Sequence, residues 1–273
     1  MTATPPATCY RHPDRATRLS CSSCGRPICV ECSRDSAVGQ KCPECAAPEG
    51  RHRVVTAAQM RGRRAAPVAF GLIAVNAAIY LLGQIDPELG RRMFAEGAQH
   101  PALIDSGEWW RALTAVFLHG SLTHVLFNMW ALYLFGPALE IRFGSAAFGA
   151  MYLASGLGGS AVYHLVGREA FAVGASGAIF GLMGALLAST YRQRHTPAGR
   201  AVFSQLTMLL AINLLIPAIV PNVAWEAHLG GLLAGALIAS GWDRLPISGP
   251  GATTRRVAVA VAVAVVAIAV ILL

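Results

Sequence analysis

Residues 173–184 read Val173-Gly174-Ala175-Ser176-Gly177-Ala178-Ile179-Phe180-Gly181-Leu182-Met183-Gly184, an apolar run opened by one hydroxyl and punctuated by glycines. A second run, Ala227-His228-Leu229-Gly230-Gly231 with Gly235 beyond it, places one imidazole in a comparable setting. Both stretches are apolar enough to lie in a bilayer, where a polar side chain is costly and its default reading is functional. Ser with His is the minimal pair for nucleophilic catalysis, and such pairs are assembled in space rather than along the chain. Gly177, Gly181 and Gly184 recur at helical spacing, and Gly231 and Gly235 form a Gly-x3-Gly pattern, the sign of helices that approach closely in membranes. Close packing of these two segments would bring the Ser176 hydroxyl within reach of the His228 imidazole.

The rest of the composition agrees. Of 273 residues, 55% are hydrophobic and 13% charged, too apolar for an ordinary soluble domain. Seven windows approach the ~20 residues that cross a bilayer as a helix: Pro67–Ile85, Leu118–Ile141, Ala146–Val166, Ser176–Tyr191, Val202–Val220, Val223–Trp242 and Val257–Leu273. The last alternates Val and Ala, a strand-like period, but its length and the flanking Arg255-Arg256 favour a helix, and a lone strand in lipid would leave its backbone unpaired.

The N-terminus is polar and Cys-rich where a cleavable signal would carry its apolar core, so the first membrane helix is expected to direct insertion. Arg61, Arg63 and Arg64 before that helix favour a cytoplasmic N-terminus. Threading seven spans from there puts Arg142, the run Arg192 to Arg200, and Arg244 to Arg256 inside, with the C-terminus and the Ser176 end of its span outside. Arg91, Arg92 and Arg111 fall in a long outer loop and weigh less.

All seven cysteines lie between residues 9 and 45 and, with one histidine, form four pairs: Cys9/His12, Cys21/Cys24, Cys29/Cys32 and Cys42/Cys45. A two-residue gap lets two side chains of a tight turn converge on one tetrahedral Zn²⁺, and eight ligands suffice for two closed structural sites. The rival, a disulfide-linked head, is disfavoured by a reducing cytoplasm and would leave His12 idle. Residues 1–66 carry 11 basic and 5 acidic groups, formally +6, but seven thiolates and two Zn²⁺ would reduce this to about +3. With no basic helix or aromatic stacking platform, nucleic acid is not the expected partner. A cytoplasmic protein or the anionic inner leaflet is the better candidate. The order of the four pairs resembles the B-box type zinc finger, and that resemblance implies that the first and third pairs share one ion and the second and fourth the other. The expected layout is a zinc-binding domain over 1–46, a basic linker over 47–66, a six-helix core over 67–245, and a linker with the seventh helix over 246–273.

The second window holds His119, His124 and Asn128, the last two one helical turn apart and so on one face. Together with Glu108-Trp109-Trp110-Arg111, Gly174-Ala175-Ser176-Gly177 and Ala227-His228-x2-Gly231-x3-Gly235, these residues resemble the rhomboid intramembrane serine proteases in order and spacing from about 67 to 245. The fold so implied is an all-α polytopic membrane protein, a rhomboid-like six-helix core plus a seventh transmembrane helix, here preceded by the small zinc-stabilised domain. The resemblance makes Ser176 the nucleophile and His228 its general base and later acid. It makes His124, Asn128 and the Ser176 backbone N–H the oxyanion hole, with no catalytic cofactor. Phe180 would place an aromatic ring against the histidine, at a position where the family more often has Tyr.

His119 would hold water or the first loop, which Trp110 and Arg111 would anchor. Glu140 and Arg142 are placed to pair or to bond helix ends, a structural clamp. Glu226 reads as loop packing or a water contact and stays outside the catalytic set. The substrates implied are transmembrane segments of membrane proteins, cut near the extracytoplasmic face. The alternative class is a non-proteolytic adaptor on the same fold that binds transmembrane clients; relatives of that type typically lack the Ser or the His. A transporter is disfavoured by the lack of inverted repeats or paired broken spans.

Overall fold

A computed structural model describes residues 7–36, 39–46, 66–166, 170–220, 223–246 and 249–273. The linker 47–65, with Arg61, Arg63 and Arg64, lies outside the described residues. The chain divides into two compact units, Met1–Met60 and Arg61–Leu273.

The first unit is small and mostly irregular. Strand β1 (Ala7–Cys9) pairs antiparallel with β2 (His12–Thr17), which brings Cys9 opposite His12. Two-residue strands β3 (Arg34–Asp35) and β4 (Gln40–Lys41) form a second ribbon, and one turn of helix, α1 (Pro43–Ala46), carries Cys45. The buried set is Cys9, Cys21, Ile28, Cys29, Cys32 and Cys42. With one aliphatic side chain among five cysteines, apolar burial cannot hold such a unit together, and a unit of this size needs a staple.

The second unit is helical. Its long helices are α2 (Pro67–Ile85), α6 (Leu122–Phe143), α7 (Ser145–Val166), α8 (Ser176–Tyr191), α9 (Pro197–Ile219), α10 (Trp225–Trp242) and α11 (Ala252–Ile271), one for each apolar window. Between α2 and α6 run the short helices α3 (Pro87–Gly97), α4 (Pro101–Asp105) and α5 (Arg111–Thr114). Helices α2, α6 and α11 and the first twenty residues of α9 are long and apolar enough to cross a membrane by themselves, and most of each is left unburied. The glycine-rich α7, α8 and α10 form the interior, α8 packing mainly on α10 and α7, while α11 covers α7 and α2 lies along α6. Among the described residues the second unit is thus an all-α, multi-pass membrane bundle of six long helices with a seventh packed on it.

Two boundaries differ from the hydropathy reading. Helix α6 begins at Leu122, not Leu118, because the Ser121 hydroxyl accepts the His124 N–H and caps it, so His119 lies in the preceding turn and not on the span. Helix α11 begins at Ala252, after Gly251 in the left-handed conformation, so Arg255 and Arg256 are helical rather than flanking. Arg256 is buried, its carbonyl accepts the Trp242 indole N–H at 2.9 Å, and its guanidinium lies over the Phe143 ring. Glu140 does bond a helix end: its carboxylate accepts the N–H groups of Val68 and Ala69 at 3.0 and 2.7 Å and the Ser145 hydroxyl. A carboxylate at the start of α2 satisfies free N–H groups and complements the helix dipole. Arg142 stacks on Phe143 instead of pairing with it.

Candidate active site

The interior helices meet through glycine. A Cβ at Gly231 would fall 1.8 Å from the Gly177 carbonyl oxygen, and one at Gly235 would fall 1.9 Å from that of Gly181. Helices α8 and α10 therefore touch backbone to backbone, an approach only glycine permits. A Cβ at Gly159 of α7 would meet the Ala227 carbonyl at 2.6 Å, so the third helix closes on the same contact. Ser176 and His228 each lie in the first turn of their helix, and this approach sets Ser176 Oγ 2.9 Å from His228 Nε2.

The imidazole is fixed from its flat side. Phe180, one turn beyond Ser176, stacks on it with centroids 4.2 Å apart and planes 6° from parallel. His228 is buried, and its Nδ1 has no hydrogen-bond partner among the described residues, so packing orients the ring where a carboxylate would do so in a triad. Helix α8 has 16 residues, about 24 Å at 1.5 Å per residue, shorter than a ~30 Å hydrocarbon layer. A helix this short starts or ends below one surface, consistent with a hydroxyl recessed from bulk water.

His124 and Asn128, one turn apart on α6, point to the chain just ahead of Ser176. A Cβ at Gly174 would lie 2.6 Å from His124 Nε2 and 3.7 Å from Asn128 Nδ2. Gly174 has φ +124°, and its N–H donates to the Ala115 carbonyl at 2.8 Å, which pins the approach to α8. Gly174 is a candidate functional position that the sequence motif contains without marking it. Its position two residues before Ser176 is the signal, since close approach of two polar side chains to backbone demands a residue without a Cβ. The Ser176 N–H, in the first turn of α8, has no intrahelical acceptor. His124 and Asn128 thus converge on Gly174, two residues ahead of Ser176.

His119 lies next to this group, its ring edge-on to His124 at 5.0 Å, with neither ring nitrogen bonded among the described residues. The first loop carries hydrogen bonds of its own. Buried Arg111 donates through Nε to Glu108 at 2.7 Å and through Nη1 to the Ala98 carbonyl at 3.0 Å, and Trp110 Nε1 donates to the Glu96 carbonyl at 3.2 Å. Gln99, which sequence reasoning missed, donates to the Ser160 carbonyl on α7 and pairs through its backbone with Ala172, tying the loop to the segment that leads into Ser176. Glu226 is buried ahead of His228 and stays outside the constellation.

In the first unit, Cys9, His12, Cys29 and Cys32 converge, as do Cys21, Cys24, Cys42 and Cys45, each set with its ligand atoms within 4.8 Å of one another. The first pair therefore joins the third and the second joins the fourth, and all seven cysteines are free. Cys24 and Cys42 sulfurs lie 3.8 Å apart and His12 Nδ1 lies 3.4 Å from the Cys29 and Cys32 sulfurs. A tetrahedral ion with bonds near 2.3 Å has ligand separations of about 3.8 Å, so both donor sets fit a metal. Within each set some thiols are lowered and others raised. The backbone N–H of Cys42 is the main cause holding Cys21 down to about 6, whereas hydrogen bonds among the thiols, first with Cys42 and then Cys24, push Cys45 up to about 12. Packing four such groups together without a cation forces some to keep their protons.

Comparison with known proteins agrees with this arrangement. The Rhomboid domain family matches residues 106–242. RHOMBOID-like protein 1 of Arabidopsis thaliana is 40% identical over 137 residues, 50% of this chain and 35% of that protein. Rhomboid protease GluP of Bacillus subtilis is 38% identical over 148 residues, 54% of this chain and 29% of that protein. YdcA, from the same bacterium, is 39% identical over 137 residues, 50% of this chain and 68% of that protein. The chain spans about a third of the length of the first two relatives, so the match concerns the helical domain. On a domain match that holds half of the sequence, and on this identity to YdcA, the chain belongs to the rhomboid family.

Proposed function

We propose that the protein is an intramembrane serine endopeptidase that cleaves transmembrane segments near the extracytoplasmic face. The observation that carries the reading is the 2.9 Å contact of Ser176 Oγ with His228 Nε2, beside the converging donors of His124 and Asn128. Ser176 Oγ attacks the scissile carbonyl carbon while its proton passes to His228 Nε2. The resulting oxyanion accepts hydrogen bonds from His124, Asn128 and the Ser176 N–H, each preorganised donor contributing about 3 kcal/mol. Collapse of the tetrahedral species breaks the C–N bond, His228 returns the proton to the leaving amine, and an acyl-Ser176 remains. Water, deprotonated by His228, then attacks the ester, releases the carboxylate product and restores the serine. Phe180 keeps the ring in plane through both transfers, and its lack of a hydroxyl leaves that task to stacking alone. His119, with two unbonded ring nitrogens beside the donors, is suited to hold the hydrolytic water.

A helical carbonyl is already hydrogen-bonded and shielded, so the scissile segment must unwind, which favours small or helix-weak residues at the cut. The N-terminus is assigned to the cytoplasm and the C-terminus to the outside, from the arginine distribution. Residues 1–46 are assigned as a B-box-like domain holding two structural Zn²⁺, joined by the 47–66 linker to the 67–245 core and its seventh helix over 246–273. The domain would serve to recruit a cytoplasmic protein or restrain the protease. Substitution Ser176→Ala is expected to abolish cleavage of a transmembrane test substrate in reconstituted vesicles and labelling by a serine-reactive fluorophosphonate. Undiminished cleavage by that variant refutes the assignment, and a wild-type protein that neither cleaves nor takes the label would favour the adaptor.

A further inference from the structure

The ends of α8 and α10 remote from Ser176 and His228 frame a cavity that the reaction does not use. It measures about 510 Å³ and lies between the turn after α8 and the last turn of α10. Its polar lining is basic: Arg192, Arg194, His195 and Arg244 face one acid, Asp243. That acid is already engaged by Arg192 Nε at 3.8 Å, so the cavity keeps a positive surplus. Arg194 is held ready rather than free: its guanidinium lies 3.6 Å over the Tyr191 ring and donates to the Tyr191 carbonyl at 2.8 Å. Such a stacked, partly satisfied guanidinium loses little side-chain entropy when an anion arrives and still has N–H groups to offer.

Position supplies the second argument. Helix α8 ends at Tyr191 and α10 at Trp242, so the cavity lies about 24 Å along α8 from Ser176, at the level of a membrane surface. Tyr191 packs on Phe203 of α9 with centroids 5.8 Å apart, and Val202 beside it and Met208 farther along that helix are exposed. The rim of a cationic cavity therefore passes directly into the lipid-facing surface of a span. A soluble anion needs only the first feature, while a phospholipid needs both.

We infer that this cavity binds the phosphodiester headgroup of an anionic phospholipid, in the leaflet at the far end of α8 from Ser176, with the acyl chains lying along α9. Three guanidiniums less the Asp243 carboxylate leave a formal +2, enough to hold the single negative charge of phosphatidylglycerol or a related lipid, and basic pockets between helix ends favour such headgroups. The inference does not rest on the proteolytic reading, since none of these residues belongs to the candidate active site.

The test is native mass spectrometry of the full-length protein in detergent with equal amounts of phosphatidylglycerol and phosphatidylcholine of matched chains. Phosphatidylglycerol is expected to be retained about tenfold more than phosphatidylcholine. The pair Arg192→Gln and Arg244→Gln should bring retention to the phosphatidylcholine level, while Arg244→Lys keeps most of the preference. Unchanged tryptophan-fluorescence melting establishes that the substituted protein is folded, and the wild-type preference is decisive even if it is not. Equal retention of the two lipids by the wild type, or undiminished retention by a folded double variant, overturns the inference. Glycerol 3-phosphate and inorganic phosphate are the remaining arms: failure to displace the lipid supports a lipid site, and displacement at matched concentration overturns it in favour of a soluble phosphate.

Discussion

The two units of this chain are held together by opposite means. In the first, five of the six buried residues among those described are cysteines gathered into two donor sets, and Ile28 is the lone aliphatic among these six. In the second, helices close to backbone contact because Gly177, Gly181, Gly231 and Gly235 have no side chain to keep them apart. The first unit offers two donor sets to an ion, and the second relies on shape. Metal binding to thiolates couples folding to ligand protonation, whereas glycine packing is indifferent to pH and chelators but intolerant of a single added carbon. A chain can carry both because the two kinds of stability answer to different perturbations.

Chelation should separate them most sharply. Stripping metal from the full-length protein removes about 10 kcal/mol of binding free energy per structural site. Residues 7–46 should then become sensitive to protease, while the melt of the bundle is unchanged. All five tryptophans lie in the second unit, so their fluorescence reports it alone. A tryptophan melt that falls with chelation would break the division. Acid acts in the same direction. The Cys9 and Cys21 thiols are lowered from 9.0 to about 6, so their stabilisation is present above the ordinary value and is lost as pH falls through the lowered one. Bound metal moves that loss lower still. Release of bound metal to a coloured indicator should therefore rise below about pH 6, with no matching loss of bundle structure.

Within the bundle the effects are smaller and graded. Asn128→Ala should lower the turnover of a transmembrane substrate by about 100-fold, near 3 kcal/mol, with little change in KM, since an oxyanion donor acts mainly in the transition state. A change confined to KM would reassign Asn128 to substrate binding. Gly231→Ala should cost roughly 1–3 kcal/mol of stability by overpacking against Gly177, seen as a lower tryptophan melt with metal content unchanged. Phe180→Leu should cost about 1 kcal/mol, the worth of an aromatic pair, and slow cleavage several-fold. Phe180→Tyr, which keeps the ring, should not.

Legibility differed between the units for physical reasons. Windows 67–85 and 176–191 coincide with α2 and α8 because each is an apolar run ended by polar or turn residues. The start of α6 was displaced because hydropathy registers Leu118 as apolar but does not register the Ser121 cap. The start of α11 was displaced because an arginine can enter a span when its carbonyl and guanidinium find partners, as those of Arg256 do with Trp242 and Phe143. Ser176, His228, His124 and Asn128 were legible as costly polar groups in apolar segments. Gly174, Gln99 and the basic cavity were not, since a glycine, an amide and a few loop arginines are unremarkable in any sequence.

Residue type and short-range spacing determined the apolar windows, the four two-residue ligand pairs and the one-turn offset of His124 and Asn128, because hydropathy and helical period are local properties. The tertiary structure decided which pairs share a donor set, that His119 leaves the span, and that Ser176 meets His228 across 52 positions at 2.9 Å. Those outcomes depend on how closely backbones approach, and that is set by glycines on α7, α8 and α10 acting together rather than by any one segment.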